Sequence, residues 1–270
     1  KTKMDDPMAT QFYQMAPFPY GNYYFGLIAA YHNETLKQPT TDSPWTDRKN
    51  LQLAYSRNGV TWSRVGKNGT IPTRELNDDK DWLPIAQDAI FLPYGEKDKD
   101  WDWGTVSPYF TPQPIIVNDE IWMYYMAQNG RNWWTYTGDP PKFDPDAKEP
   151  DLGVGLAKLR LDGFVSIDAG DTEGTLTTKP LIFLGDTLEV NTNAEGGSLL
   201  VEALDEDGNS IEGFGKQQAD PISSDHVRHV VRWNGDADCH LLQGRPIRLR
   251  FHLKNSKLYS FTPRITLNHY

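Results

Sequence analysis

The chain has one cysteine, Cys239, in 270 residues. That rules out an internal disulfide and any metal site built from several thiolates. Positive charge is also scarce: 27 lysines and arginines stand against 37 acidic residues, for a formal net charge of −10. Binding to a phosphate backbone draws on Lys and Arg, so no nucleic-acid partner is expected. No run approaches the roughly 18 apolar residues that a membrane-spanning helix needs. Helical periodicity is missing as well, since no stretch of about twelve residues holds apolar positions at i, i+3, i+4 and i+7 between caps. There is no Gly-rich phosphate loop, no His-Glu-x-x-His, no Gly-x-Ser-x-Gly and no Cys/His ladder. The opening Lys1-Thr2-Lys3-Met4 carries no initiator methionine and reads as a processed or partial sequence.

Aromatic residues are plentiful, with 9 Trp, 13 Tyr and 11 Phe. They suit pleated, half-buried strands and sugar-stacking clefts. Strands are predicted at Tyr23–Tyr31, Leu51–Ser56, Pro114–Val117, Ile121–Met126, Val154–Leu161, Leu199–Leu204, Val227–Trp233 and Pro246–Leu253. Each is β-branched or aromatic and is bounded by Gly, Asn, Asp or Pro.

An internal repeat organises the first part. Leu51-Gln-Leu-Ala-Tyr-Ser-Arg57, a turn at Gly59 and Val60-Thr-Trp62 match Val154-Gly-Leu-Ala-Lys-Leu-Arg160, a turn at Gly163 and Phe164-Val165. A hairpin precedes each copy: Ala16–Tyr20 turning at Gly21-Asn22 in the first, Pro114–Val117 turning at Asn118-Asp119 in the second. Two four-stranded units about 100 residues apart have the layout of β-propeller blades. Two blades cannot close a ring, so the remaining blades are expected from an upstream segment or another chain. The stretch Ser166–Gly174 reads as a polar linker. Beyond it, turns at Gly185-Asp186, Glu195-Gly-Gly197, Asp205–Gly208, Asn234-Gly235 and Gly244 mark shorter strands, as in a jelly-roll or immunoglobulin-like sandwich. The expected fold is therefore all-β, with incomplete propeller blades over 1–168 and a β-sandwich over 169–270.

Several phrases together resemble a bacterial family related to the five-bladed propeller glycoside hydrolases of the invertase and arabinanase type. They are Phe18-Pro-Tyr20 with Tyr24-Phe-Gly-Leu27, Leu53–Gly59 with Trp62, Trp101-Asp-Trp-Gly104, Glu120–Tyr125, Leu159–Phe164, and Leu249-Arg-Phe251 with Leu258–Phe261. The resemblance covers nearly the whole chain. It implies a propeller whose central channel carries three acidic residues, the first of which falls upstream of Lys1. Asp5-Asp6-Pro7 resembles the Arg-Asp-Pro phrase that carries the family's transition-state stabiliser, although Asp5 stands where that Arg would be. Asp6 and Asp102 are thus the candidate catalytic acids, with Asp102 corresponding to Asp6 by repeat position.

Asp102 lies between two indoles, Trp101 and Trp103. The rings could stack on a sugar while the carboxylate bonds a hydroxyl or moves a proton; a Trp pair closing a gap between blades, with Asp102 capping a turn, is the structural alternative. His32, Asn129 and Trp133 complete the candidate substrate-binding set, with Trp133 on the long Pro- and Asp-rich insertion of 131–150. No cofactor is required and no metal ligands are assigned, although a channel-bound divalent cation would suit His32. Asp205–Gly208 lacks the remaining ligands of a calcium loop and reads as a hairpin turn.

The leading expectation is a glycoside hydrolase that cleaves a poly- or oligosaccharide through carboxylates at the propeller channel; the alternatives are carbohydrate binding without catalysis and assembly with a chain that supplies further blades. The resemblance and a polysaccharide substrate imply an extracellular or periplasmic location.

Overall fold

The structure is a computed structural model. It describes residues 10–32, 48–66, 69–70, 90–93, 95–96, 99–108, 113–130, 136–137, 142–143, 145–146 and 148–265. The fold is all-β. Among these residues the only helical turn is a short 3-10 segment, His240–Leu242. None of their helices is long and apolar enough to cross a membrane. The chain divides into two compact units, 1–115 with 122–158, and 116–121 with 159–270.

In the first unit, β1 (Thr10–Tyr20) and β2 (Tyr23–His32) form a hairpin. Its two-residue turn places Gly21 at a φ of 55°, where glycine carries no steric penalty. β3 (Arg48–Ser56) adds antiparallel to β2, and β4 (Ser63–Gly66) and β5 (Gly69–Thr70) follow on. The second meander begins after β6 (Ile90–Leu92) with β7 (Thr105–Ser107) and β8 (Ile115–Val117). It continues through β9 (Glu120–Gln128), the short pair β10 (Tyr136–Thr137) and β11 (Lys142–Phe143), and β12 (Leu152–Arg160).

The two copies seen in the sequence are joined in one sheet of order β1-β2-β3-β7-β9-β12. The join is a single parallel pairing, Lys49 with Thr105. Position in that order explains burial. The central stretches Leu27–Tyr31 and Leu51–Ala54 are buried at every residue, whereas β1 alternates, burying Ala16 and Phe18. Ala29, Leu51, Val106 and Ala127 meet in a small core across the four middle strands.

The second unit contains β13 (Ile167–Ala169), β14 (Gly174–Thr177), β15 (Leu181–Ile182) and β16 (Thr187–Asn193). They are followed by β17 (Ser198–Leu204), β18 (Asp225–Val230), β19 (Pro246–Lys254) and β20 (Ser256–Arg264). One sheet runs β13-β20-β16-β18; in the other, β19 is flanked by β14 and β15 and pairs with β17. A single hydrophobic core draws on both sheets, including Leu188 and Val190 from one and Leu199, Leu249 and Phe251 from the other. Trp233 seals it, edge-on to Phe214, with its indole N–H donating to the Val201 carbonyl at 2.9 Å. β13 lies inside the stretch that the sequence reads as a linker, because Ile167–Ala169 pairs with Ser256–Leu258 of β20.

Arg160 ends β12 as the repeat requires, and its guanidinium makes three hydrogen bonds. It donates to Asn191 Oδ1 at 2.9 Å, to Asp225 Oδ1 at 2.7 Å and to the His226 carbonyl at 3.1 Å, and it lies over the Tyr259 ring. Arg57, its counterpart in the first copy, instead covers Tyr23 and donates to that hydroxyl at 2.6 Å.

Candidate functional site

The candidate site is built where residues 95–96 and 99–104 meet the end of β9 and the start of β12. The loop opens with a tight turn. The amides of Lys99 and Asp100 donate to the Glu96 carbonyl, and the Glu96 amide donates to Asp100 Oδ2 at 2.6 Å. Glu96 and Lys99 are exposed, as expected for a solvated acidic turn. The loop leaves along β9, where the Gly104 amide donates to the Gln128 carbonyl.

Two aromatic rings and one carboxylate define the site. Trp101 lies nearly parallel to Tyr125, with ring centroids 5.9 Å apart and planes 18° from parallel, and it remains 41% exposed. The Tyr125 hydroxyl donates to Asp102 Oδ2 at 2.8 Å. Burial, then this hydrogen bond, then the charge of Asp102 hold the phenol protonated far above the ordinary tyrosine range.

The sequence of β12 makes room for both rings. A Cβ on Gly153 would come within 2.8 Å of the Trp101 ring, and one on Gly155 would overlap Tyr125. Two glycines in alternate positions therefore leave bare backbone on which the rings lie. Asp102 is held on its other side too, since a side chain at Gly95 would overlap its Oδ1.

The predicted residues are distributed unevenly. Trp101, Asp102 and Trp103 belong to this loop, with Trp103 half-buried. Asn129 sits at the end of β9 with its amide committed: it donates to Asp151 Oδ2 at 3.1 Å and accepts from the Asp151 amide at 2.8 Å. It thus fastens β9 to β12 beside the loop. Asp6, Trp133 and the side chain of His32 lie outside the described residues.

Tyr125, Asp151, Gly153 and Gly155 were missed by the sequence reading. Tyr125 sat inside the Ile121–Met126 strand signal and Gly155 inside Val154–Leu161, with Gly153 just before it, and only pairing brings them to the loop. A second feature also went unnoticed. Asn50, Gln52, Thr105 and Ser107 are buried polar residues of the central strands. Gln52 donates to Asn50 and accepts from Arg64, while the Thr105 and Ser107 hydroxyls are buried without a hydrogen bond among the described residues. Nor do the described residues include a cluster of three or more His, Cys, Asp or Glu able to hold a metal ion.

Chemically, the loop offers an exposed indole next to a carboxylate whose position is set by a tyrosine. An indole packs against the C–H face of a sugar ring, and a carboxylate accepts its hydroxyls. One carboxylate is enough to bind a sugar, whereas hydrolysis generally uses two.

No family model matches the chain, and no curated protein matches it. Among solved structures it is similar to the Bombyx mori GH32 beta-fructofuranosidase BmSUC1. The identity is 10% over 95% of this chain and 67% of that one, with a TM-score of 0.21. A mutant of the same enzyme in complex with sucrose gives 10% identity over 93% and 66%, with a TM-score of 0.19. Likeness at this level carries no argument about activity.

Proposed function

We propose that this protein binds a poly- or oligosaccharide at the 95–104 loop. One observation carries the reading: Trp101 is 41% exposed and stacked on Tyr125, whose hydroxyl fixes Asp102 beside it. A large aromatic surface left in water next to a fixed hydrogen-bond acceptor suits an amphipathic ligand such as a sugar ring. The net charge of −10 favours a neutral glycan over a polyanion.

A second reading is hydrolysis of a glycosidic bond, favoured by the presence of a carboxylate within the sugar-binding loop. Asp102 would then act with a second carboxyl group about 5–5.5 Å away for retention or about 6.5–9.5 Å away for inversion. Asp6 is the proposed partner. Neither reading calls for a cofactor, and a polysaccharide ligand suits an extracellular or periplasmic site of action.

Affinity electrophoresis in gels containing soluble plant and bacterial polysaccharides tests the binding reading. Retardation by at least one glycan, lost in Trp101→Ala, supports it; equal retardation of wild type and Trp101→Ala overturns it. Reducing-end release from the same glycans, abolished in Asp102→Asn, would select hydrolysis. Binding without release, retained in Asp102→Asn, would select recognition alone.

A further inference from the structure

The second unit buries a histidine between two carboxylates. His252, on β19, has a side chain only 8% exposed. Its Nε2 lies 3.2 Å from Glu202 Oε2, on β17, and its Nδ1 lies 3.4 Å from Glu173 Oε1, the residue just before β14. Nδ1 is buried and makes no directed hydrogen bond. The two acids therefore face the two nitrogens of one ring.

The surrounding charges are named by element. β19 also supplies Arg250, whose Nη1 is 3.5 Å from Glu202 Oε2, and Lys254, exposed at the strand end. The segment after β17 supplies Lys216, 2.6 Å from Glu173. β14 contributes Thr175, which is paired with His252 but carries no charge. Lys216, through its hydrogen bond first, holds Glu173 below the ordinary carboxylate range, with the charge of His252 adding to this. Glu173 is therefore a carboxylate throughout the range in which a histidine titrates.

We propose that Glu173, His252 and Glu202 form a proton-dependent clasp that fastens edge strand β14 to the rest of its sheet. An imidazolium has two N–H groups and so attracts both acids at once. The neutral ring has one. When that N–H serves Glu202, the lone pair of Nδ1 faces the Glu173 carboxylate and the contact turns repulsive.

β14 is the element that responds. Among the described residues it pairs only with β19, over Gly174–Thr177. Its far end has its own anchors: Arg250 donates to Thr177 Oγ1, and the Leu249 amide donates to Thr178 Oγ1. At the near end Glu173 adds to the backbone pairing of Gly174 with Leu253. The clasp is complete when the ring is an imidazolium and loosens when the ring is neutral, so it weakens as pH rises. On the acid side it persists until Glu173 itself takes up a proton, below the usual carboxylate range.

Hydrogen exchange read by mass spectrometry on peptides covering 173–177, corrected for intrinsic rates at pH 5.5 and 8.0, tests the clasp. Protection in the wild type is expected to fall about threefold between the two pH values, the size of a partly exposed ion pair. Glu173 is exposed, so Glu173→Gln keeps the fold, and in that variant protection should be the same at both pH values. His252→Gln should behave likewise. A wild type with no fall, or a fall that persists undiminished in Glu173→Gln, overturns the proposal.

Discussion

The Tyr125 hydroxyl and the Asp102 carboxylate meet at 2.8 Å across 23 residues of sequence. One lies in a strand and the other in the loop that precedes the meander. The contact positions the Trp-Asp-Trp segment, and Trp101 lies against the same tyrosine. Orientation of the loop acid and of the exposed indole thus depends on a side chain that makes no other contribution to the site.

Removal of that hydroxyl should therefore loosen the loop. Tyr125→Phe is expected to lower stability by about 1–2 kcal/mol, the loss of a hydrogen bond to a charged acceptor in a part-buried place. Urea unfolding measures this. The same variant should weaken glycan retardation without abolishing it, since Trp101 remains.

Ionisation of Tyr125 offers an independent check. Burial and the adjacent negative charge both disfavour the phenolate, so the pKa is raised. A spectrophotometric titration of the wild type should leave this tyrosine protonated after exposed tyrosines have ionised near pH 10. In Asp102→Asn, which removes the charge, the phenol should ionise at lower pH than in the wild type. An unchanged titration would show that Asp102 does not face it.

Bare backbone under the rings predicts a steric effect. Gly155→Ala would put a methyl group into Tyr125 and should cost about 1–3 kcal/mol, as overpacking does. Gly174, where a Cβ would meet only the Ala169 methyl at 3.6 Å, is the control position. Thermal melts of the two alanine variants should separate clearly.

In the second unit, Asn191 is 2% exposed; it donates to the Leu161 carbonyl at 2.6 Å and accepts from Arg160. Asn191→Ala removes the partner of the Leu161 carbonyl and of the Arg160 Nε–H, and is expected to destabilise by about 1–3 kcal/mol. Chemical denaturation followed by tryptophan fluorescence would report it.

Cys239 is fully buried, and its thiol is pushed up to about 12, by desolvation first and then by Asp238, Asp186 and Asp236. The unfolded thiol ionises near 8.5. Between these values the unfolded state binds fewer protons, so stability should fall with rising pH by up to about 1.4 kcal/mol per pH unit. A disulfide reagent at pH 8 should label the native protein only at its rate of opening, and promptly once it is unfolded in urea.

Much of the strand pattern was legible, for local reasons. Tyr23–Tyr31 was read from its aromatic run and its Gly21-Asn22 turn, and it appears as Tyr23–His32. Pro246–Leu253 was read from its β-branched and aromatic content after the Gly244 turn and appears as Pro246–Lys254. Val227–Trp233 shifted to Asp225–Val230, because the polar start pairs with Asn193 while Trp233 turns inward over the core. Thr187–Asn193 was not singled out at all. It has polar residues at alternate positions, and its burial comes from two flanking strands rather than from its own composition.

The candidate site was half legible for a related reason. Asp102 was nominated because an acid between two indoles is unusual in a plain loop, a signal carried by neighbours in sequence. Tyr125 gave no such signal, since it fits an ordinary strand, and Gly153 and Gly155 stood at the boundary and within the predicted strand Val154–Leu161 without naming the rings they accommodate.

By itself the sequence determined that the protein is all-β, because period, turn residues and the absence of helical patterning are local properties. It also determined a repeated hairpin-and-strand unit, an acidic surface and a Trp-Asp-Trp loop. Only the tertiary structure decided what each chemical group faces. The parallel pairing of Lys49 with Thr105, the tyrosine beneath Trp101 and the two acids on His252 all join residues distant in the chain. Such partners follow from strand order and register, which local propensity leaves open. The Trp-Asp-Trp loop was visible in the sequence; the tyrosine that sets its geometry was not.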